Sequence, residues 1–204
     1  MSLVADNISL HLAGFDLLRN ISLEVETGKV TAIVGPNGAG KSSLLKVLTG
    51  EMAATKGQVY LNNRLLQHWP LLDKAQLLAV LPQHTMLNFP FTADEVVGLG
   101  RIPHNTGLSK DREIITEALD LVDASYLQKR LYTQMSGGER QRVQLARVLA
   151  QIWQASHLGD QFLVLDEPTS SIDSKTEAII LDALDRLMVG RTTFVIAHRL
   201  STTR

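Results

Sequence analysis

The stretch Val30-Thr31-Ala32-Ile33-Val34-Gly35-Pro36-Asn37-Gly38-Ala39-Gly40-Lys41-Ser42 restricts the architecture of this chain more than any other segment. A run apolar on both faces is what a strand needs when helices cover it on each side, so a buried parallel strand is predicted. The turn behind it fits G-x-x-x-x-G-K-[ST], and Ser42 to Leu48 reads as the helix that follows. Glycines in such a turn let backbone N–H groups curl inward around an anion, which side chains would obstruct. The start of the helix adds its own favourable field for negative charge. Gly35, Pro36, Asn37, Gly38, Ala39, Gly40, Lys41, Ser42 and Ser43 are therefore candidate phosphate contacts, Lys41 as a cation and Ser42 as a hydroxyl toward Mg²⁺. Alone, the pattern says only nucleoside triphosphatase or kinase.

Around that loop the chain reads as a single unit of 204 residues with one insertion. Apolar residues alternate at Ile8, Leu10 and Leu12 and again at Ile21, Leu23 and Val25, which predicts two antiparallel strands turning near Ala13-Gly14-Phe15-Asp16. Another strand, Val59-Tyr60-Leu61, ends at the turn pair Asn62-Asn63. Residues 84–135 differ: prolines and glycines separate short helical patterns, and Thr92-Ala93-Asp94-Glu95 has the form of a capping box. Within them, residues 113–127 place Ile115, Ala118, Leu119 and Val122 on one helical face. A helix is expected from Ser136 to about Trp153, then a strand at 162–165, a helix at 175–189 stopped by Gly190, and a strand at 192–197.

Two further segments carry chemistry. Phe162-Leu163-Val164-Leu165-Asp166-Glu167 is an apolar strand ending in two carboxylates. Beside a phosphate loop, Asp166 is expected to reach the Mg²⁺ shell and Glu167 to polarise an attacking water. Ser136-Gly137-Gly138-Glu139 opens the helix beginning Arg140-Gln141-Arg142. Ser136 and Glu139 form a capping box, and the glycines between them expose N–H groups as a second anion site. One nucleotide does not easily occupy both sites of one copy; two copies arranged head to tail would let each present its Ser136 turn to the other's nucleotide.

Taken together, these segments resemble the nucleotide-binding subunit of ABC transporters over essentially the whole chain. The resemblance extends to Leu81-Pro82-Gln83 as the Q-loop, to Asp166-Glu167-Pro168-Thr169-Ser170-Ser171-Ile172-Asp173 running from the strand-end acids into the D-loop at Asp173, and to Ala197-His198 as the switch histidine. Met135 stands where the family usually has leucine before Ser136. The resemblance implies an α/β fold: a P-loop NTPase core with a mainly parallel sheet, an N-terminal antiparallel β subdomain and an inserted α-helical subdomain. It assigns 1–83 and 136–204 to the core and 84–135 to the insertion. It implies an ATPase that uses Mg²⁺, held by Ser42, Gln83 and Asp166, with Glu167, His198 and Gln83 catalytic. It further implies an ATP-bound homodimer in which Ser136, Gly137, Gly138 and Glu139 contact the partner's nucleotide, and integral-membrane permease subunits as partners.

The stretch from Leu81 through Asn88-Phe89-Pro90-Phe91-Thr92 to Gly100-Arg101-Ile102-Pro103-His104 is most similar to ATPases that serve importers of haem, ferric chelates and cobalamin. Ala150-Gln151-Ile152-Trp153 points within that group to hemin import. His84 and His104 read as surface residues and not as haem ligands. From Asp173 onward the chain looks more like an ABC exporter, and it stops at Arg204 where family members usually continue, so the end of the usual domain is expected to be missing. A hybrid or engineered nucleotide-binding domain and a soluble ABC ATPase acting on nucleic acid or the ribosome stay open as readings. The formal net charge of −1 argues against a nucleic-acid partner. With no basic, apolar leader and no apolar run near the roughly 20 residues that cross a bilayer, a peripheral place on the cytoplasmic face of the inner or plasma membrane is expected, and a soluble chain when expressed alone. Cysteine is absent from the sequence, which excludes thiolate metal sites. Members of the family often stack adenine on an aromatic side chain near the N-terminal turn; Leu12 occupies that place here, so discrimination between ATP and GTP is expected to be weak.

Overall fold

Alternating apolar residues at the N-terminus build a long hairpin in the computed structural model, which describes residues 2–27, 29–33, 35–36, 38–83, 87–154, 156–166 and 192–196. Strand β1 (Ser2–Leu12) pairs antiparallel with β2 (Phe15–Glu26) across Ala13-Gly14. After β3 (Val30–Ile33) and helix α1 (Lys41–Leu48), the chain returns to this sheet as β4 (Lys56–Leu61) and β5 (Arg64–Leu65), in the order β2-β1-β4-β5. Leu3, Ile8, Leu10 and Val25 face inward and are buried, whereas Leu12 at the hairpin tip is 47% exposed.

The two tight turns of this sheet solve the same backbone problem with different residues. Asn62 and Asn63 take φ of 50° and 63°, and Ala13 and Gly14 take 49° and 85°. Asparagine tolerates the left-handed region, while a Cβ without a polar end is penalised there by about 1–2 kcal/mol. Ala13→Asn should therefore raise stability by about 0.5–1 kcal/mol, read as a higher urea midpoint at unchanged slope.

A second sheet is wholly parallel. Helix α2 (Leu71–Leu77) leads into β6 (Leu78–Leu81), and with β7 (Phe162–Asp166) and β8 (Thr192–Ile196) the order is β3-β8-β7-β6. The apolar run of β7 is explained by double coverage. Phe162 and Val164 join a core with α1 and the antiparallel sheet, and Leu163 and Leu165 join a second core on the other face. That second core is built from α3 (Ala93–Gly98), α4 (Leu108–Leu121) and α5 (Gly137–Gln151). The sheet is thus the middle of three layers.

Both capping boxes form as expected. Thr92 N–H donates to Glu95 Oε2 at 2.8 Å at the start of α3, and the Ser136–Glu139 pair does the same at α5. The helix expected over 113–127 differs. It begins at Leu108, just after Gly107 at φ 87°, and ends at Leu121. Its buried stripe is Ile114, Ala118 and Leu119, with Ile115 only half-buried at the edge. The first turn is Leu108-Ser109-Lys110-Asp111, polar but for an exposed leucine, so it carries no periodic signal. The helix expected at 175–189 lies outside the described residues. Among the described residues, no helix is long and apolar enough to cross a membrane.

Candidate functional site

Parallel strands deliver their C-terminal ends to one edge of the sheet, where open α/β folds place their ligands. Here that edge receives the loop after β3, Asp166 at the end of β7, and Gln83 just beyond β6. β8 ends at the same edge, at Ile196. Glu167, Asp173, His198, Asn37 and His84 lie outside the described residues.

The loop has the conformation its glycines allow. Gly38 and Gly40 sit at φ 81° and 84°, and Gly40 caps α1. A Cβ on Gly40 would stand 2.8 Å from the Leu17 carbonyl oxygen, so β2 packs directly against the loop and only glycine permits that approach. The hairpin tip beside it presents Leu12 and Phe15, the latter 71% exposed.

Lys41 is only 8% exposed, and its Nζ donates to the carbonyl oxygens of Gly35 at 2.9 Å and Pro36 at 3.1 Å. The ammonium is therefore folded back into its own loop among neutral acceptors. Ser42 Oγ donates to Asp166 Oδ1 at 3.3 Å, linking residues that strand order separates by β8. Gln83, two residues past the end of β6, is half-buried. Neutral hydroxyl and carboxylate oxygens held this close suit Mg²⁺, which takes few protein ligands and completes its shell with phosphate and water.

The second turn starts a different layer. Ser136 Oγ accepts from the Glu139 backbone N–H at 3.3 Å, and the Ser136 backbone N–H donates to Glu139 Oε2 at 2.8 Å. That backbone donor, then the Ser136 hydroxyl and the Arg130 charge at 3.1 Å, hold the Glu139 carboxyl below the usual carboxylate range. A depressed folded-state pKa means the cap's contribution is present above the ordinary glutamate range and is lost only as pH falls through the lowered value. Among the described residues, no atom would meet a Cβ on Gly137 within 4 Å. Helix α5 buries Val143, Leu145 and Leu149 against α3, α4 and the β6–β7 face, whereas α1 buries Leu44, Leu45 and Leu48 on the opposite face. The two turns thus begin helices on opposite sides of one sheet.

One reading from the sequence needs correction. His104 is not a surface residue: it is half-buried, its Nε2 lies 2.6 Å from the Gln151 carbonyl oxygen, and burial pushes its pKa below the usual value. Neighbouring Arg101 is also buried, a residue to which the motifs assigned no role.

Comparison with known proteins fits this geometry. The ABC transporter family matches residues 18–170. The hemin import ATP-binding protein HmuV of Pseudomonas fluorescens Pf-5 is 48% identical over 202 residues, covering 96% of this chain and 76% of the relative. The protein of the same name from Gloeobacter violaceus is 50% identical over 173 residues, covering 84% and 63%. An ATP-binding cassette solved as a dimer in a post-hydrolysis state with ADP and Pi superposes with a TM-score of 0.83 at 26% identity, covering 97% of this chain and 88% of that one. A bacterial Atm1-family ABC exporter with ATP bound gives 0.82 at 28% identity, covering 98% and 35%. The Pseudomonas match runs into the stretch beyond Asp173, so the hybrid and nucleic-acid readings find no support in it. With its phosphate loop, strand-end carboxylate and capped signature turn in place, the chain belongs to the ABC transporter family and is an ATP-binding subunit of it, an ATPase.

Proposed function

We propose that this chain powers the import of hemin or an iron chelate, working as a homodimer that closes on two ATP molecules beneath a membrane permease. The observation that carries the ATPase chemistry is the 3.3 Å bond between Ser42 Oγ and Asp166 Oδ1 at the mouth of the phosphate loop. The hemin cargo rests on the relatives' names and on the importer-like segment from Leu81 to His104.

In this reading residues 35–43 wrap the phosphates, and Lys41 exchanges its two carbonyl acceptors for phosphate oxygens. Ser42, Asp166 and Gln83 would hold Mg²⁺, which when bound neutralises charge on the outer phosphates. Glu167 takes a proton from water as that water attacks the γ-phosphorus and the bond to the β-phosphate oxygen breaks. His198 contacts the γ-phosphate, and Asp173 lies on the loop between the copies. Ser136, Gly137, Gly138 and Glu139 face the nucleotide held by the other copy. The opposite placement of α1 and α5 supports that division of labour, since the Ser136 turn and the phosphate loop begin helices on opposite faces of one sheet. Residues 84–135 would act as the helical subdomain that passes the motion on, through Gln83, to the permease at the cytoplasmic face of the membrane.

The test combines turnover with mass in solution. Glu167→Gln should keep ATP affinity within about twofold, reduce hydrolysis at least about a hundredfold, and accumulate a dimer in ATP by light scattering. A variant that stays monomeric at saturating ATP sinks the sandwich. With the permease in vesicles, hemin uptake should require ATP; uptake of no tetrapyrrole or iron chelate would leave an ABC ATPase of other cargo.

A further inference from the structure

The segment Gly100-Arg101-Ile102-Pro103-His104 forms a junction that no step above uses. Gly100 lies so close to α5 that a Cβ there would stand 2.2 Å from the Arg147 carbonyl oxygen. Arg101 is 4% exposed, and all three of its nitrogens are engaged. Its Nε donates to Asp111 Oδ1 at 2.8 Å at the start of α4, and Nη1 to the Ala150 carbonyl oxygen at 2.6 Å at the end of α5. Its Nη2 donates to Thr106 Oγ1 and Gln154 Oε1, each at 3.0 Å. His104 adds Nε2–H to the Gln151 carbonyl oxygen at 2.6 Å.

Gln151 carries the tie onward. Its Nε2 donates to the carbonyl oxygens of Ala75 at 2.7 Å and Leu78 at 3.2 Å, at the root of β6. Gln76 Nε2 returns a bond to the Pro103 carbonyl oxygen at 2.8 Å. The junction therefore grips the last turn of α5 and the first residue of β6 together. The other end of α5, about 22 Å away at the usual helical rise, is the Ser136 turn, and the other end of β6 leads to Gln83. A buried guanidinium with one carboxylate and three neutral acceptors is an expensive way to hold a loop, because apolar packing would hold it at least as well. What the charged fork adds is a fixed geometry among four chain segments.

We propose that Arg101 and His104 are positioning residues for ATP turnover: by locking the end of α5 to the root of β6, they set where the Ser136 turn stands relative to Gln83. This rests on the reading in which Ser136 meets the second copy's nucleotide. The loop does not touch the phosphate site, so binding of ATP by a single copy is independent of it.

The decisive variant is Arg101→Met combined with Asp111→Leu, which replaces the buried pair by apolar groups and leaves the Ala150 and Gln154 acceptors ungripped. Its thermal midpoint should fall somewhat, since the buried acceptors lose their donor, but the chain should stay folded and ATP affinity of the monomer should stay within twofold. Turnover should fall at least tenfold, carried by kcat and not by KM for ATP. Parental turnover in the folded variant would overturn the proposal, because Arg101 would then serve the fold alone. If the double variant does not fold, His104→Leu, which disturbs no ion pair, should lower kcat at least threefold with KM unchanged; an unchanged kcat overturns the proposal equally. Ser136→Arg run in parallel separates the two ideas: turnover that survives it removes the underlying reading, and turnover lost there but kept in the Arg101 variant removes the junction alone.

Discussion

Alanine at position 41 should weaken ATP binding by at least about a hundredfold while leaving the fold intact. The reasoning starts from what the Lys41 ammonium does without nucleotide. It is 8% exposed, and among the described residues its bonds run to the carbonyl oxygens of Gly35 and Pro36, at 2.9 and 3.1 Å. A negative charge holds a buried cation more strongly than neutral carbonyl oxygens do. A triphosphate supplies that charge, and each hydrogen bond from an ionised donor contributes about 1.5–3 kcal/mol. Losing two such bonds costs about 3–6 kcal/mol, which converts to roughly two to four decades in Kd. The backbone N–H cradle and the start of α1 remain, so some affinity for phosphate persists. Titration calorimetry with Mg-ATP measures the change directly. A Kd within threefold of the parent, with an unchanged circular dichroism spectrum, would remove Lys41 from the phosphate site and residues 35–43 with it.

Features legible in the sequence were those whose cause is local. β7 announces itself because both of its faces are buried, so no polar residue interrupts Phe162 to Leu165, and the strand before the loop carries only Thr31 among its apolar residues from Val30 to Val34. Two capping boxes, Thr92–Glu95 and Ser136–Glu139, are four-residue patterns that fold the same way wherever a helix starts. The beginning of α4 was illegible for the converse reason: Leu108 is 78% exposed and the next four residues are polar, so the helix there is held by Gly107 and by tertiary contacts of Asp111, not by periodicity. The junction around Arg101 depends on partners as far off as Ala150 and Gln154, a distance no window spans. A clue was nevertheless present, since an arginine directly after Val96-Val97-Gly98-Leu99-Gly100 stands where an exposed charge would be out of place. His104 failed by the same non-locality, because nothing near it in sequence announces a carbonyl acceptor at Gln151.

Ser136→Arg should reduce hydrolysis at least about a hundredfold, and it should do so without touching the affinity of a single copy for ATP. Two energies decide this. Losing the hydroxyl cap of α5 costs about 1 kcal/mol, which a domain of this size tolerates, and Glu139 keeps its backbone partner at position 136. Against that, the new guanidinium projects from a turn where, among the described residues, a side chain on neighbouring Gly137 would meet no atom within 4 Å. Such a group fills the space a second copy's phosphates would need, and it does nothing to a loop that begins a helix on the opposite face of the sheet. Damage of this kind is therefore invisible to the monomer and severe for the dimer. Equal proportions of Ser136→Arg and Lys41→Ala chains sharpen the point, because each dimer that pairs one of each contains one composite site with an intact loop and an intact turn. If the two sites act independently, the mixture regains up to about a quarter of parental turnover, since half of randomly paired dimers are mixed and each has one of two sites working. Normal turnover by Ser136→Arg alone would mean that catalysis is complete within one copy, and the head-to-tail arrangement would have to be abandoned.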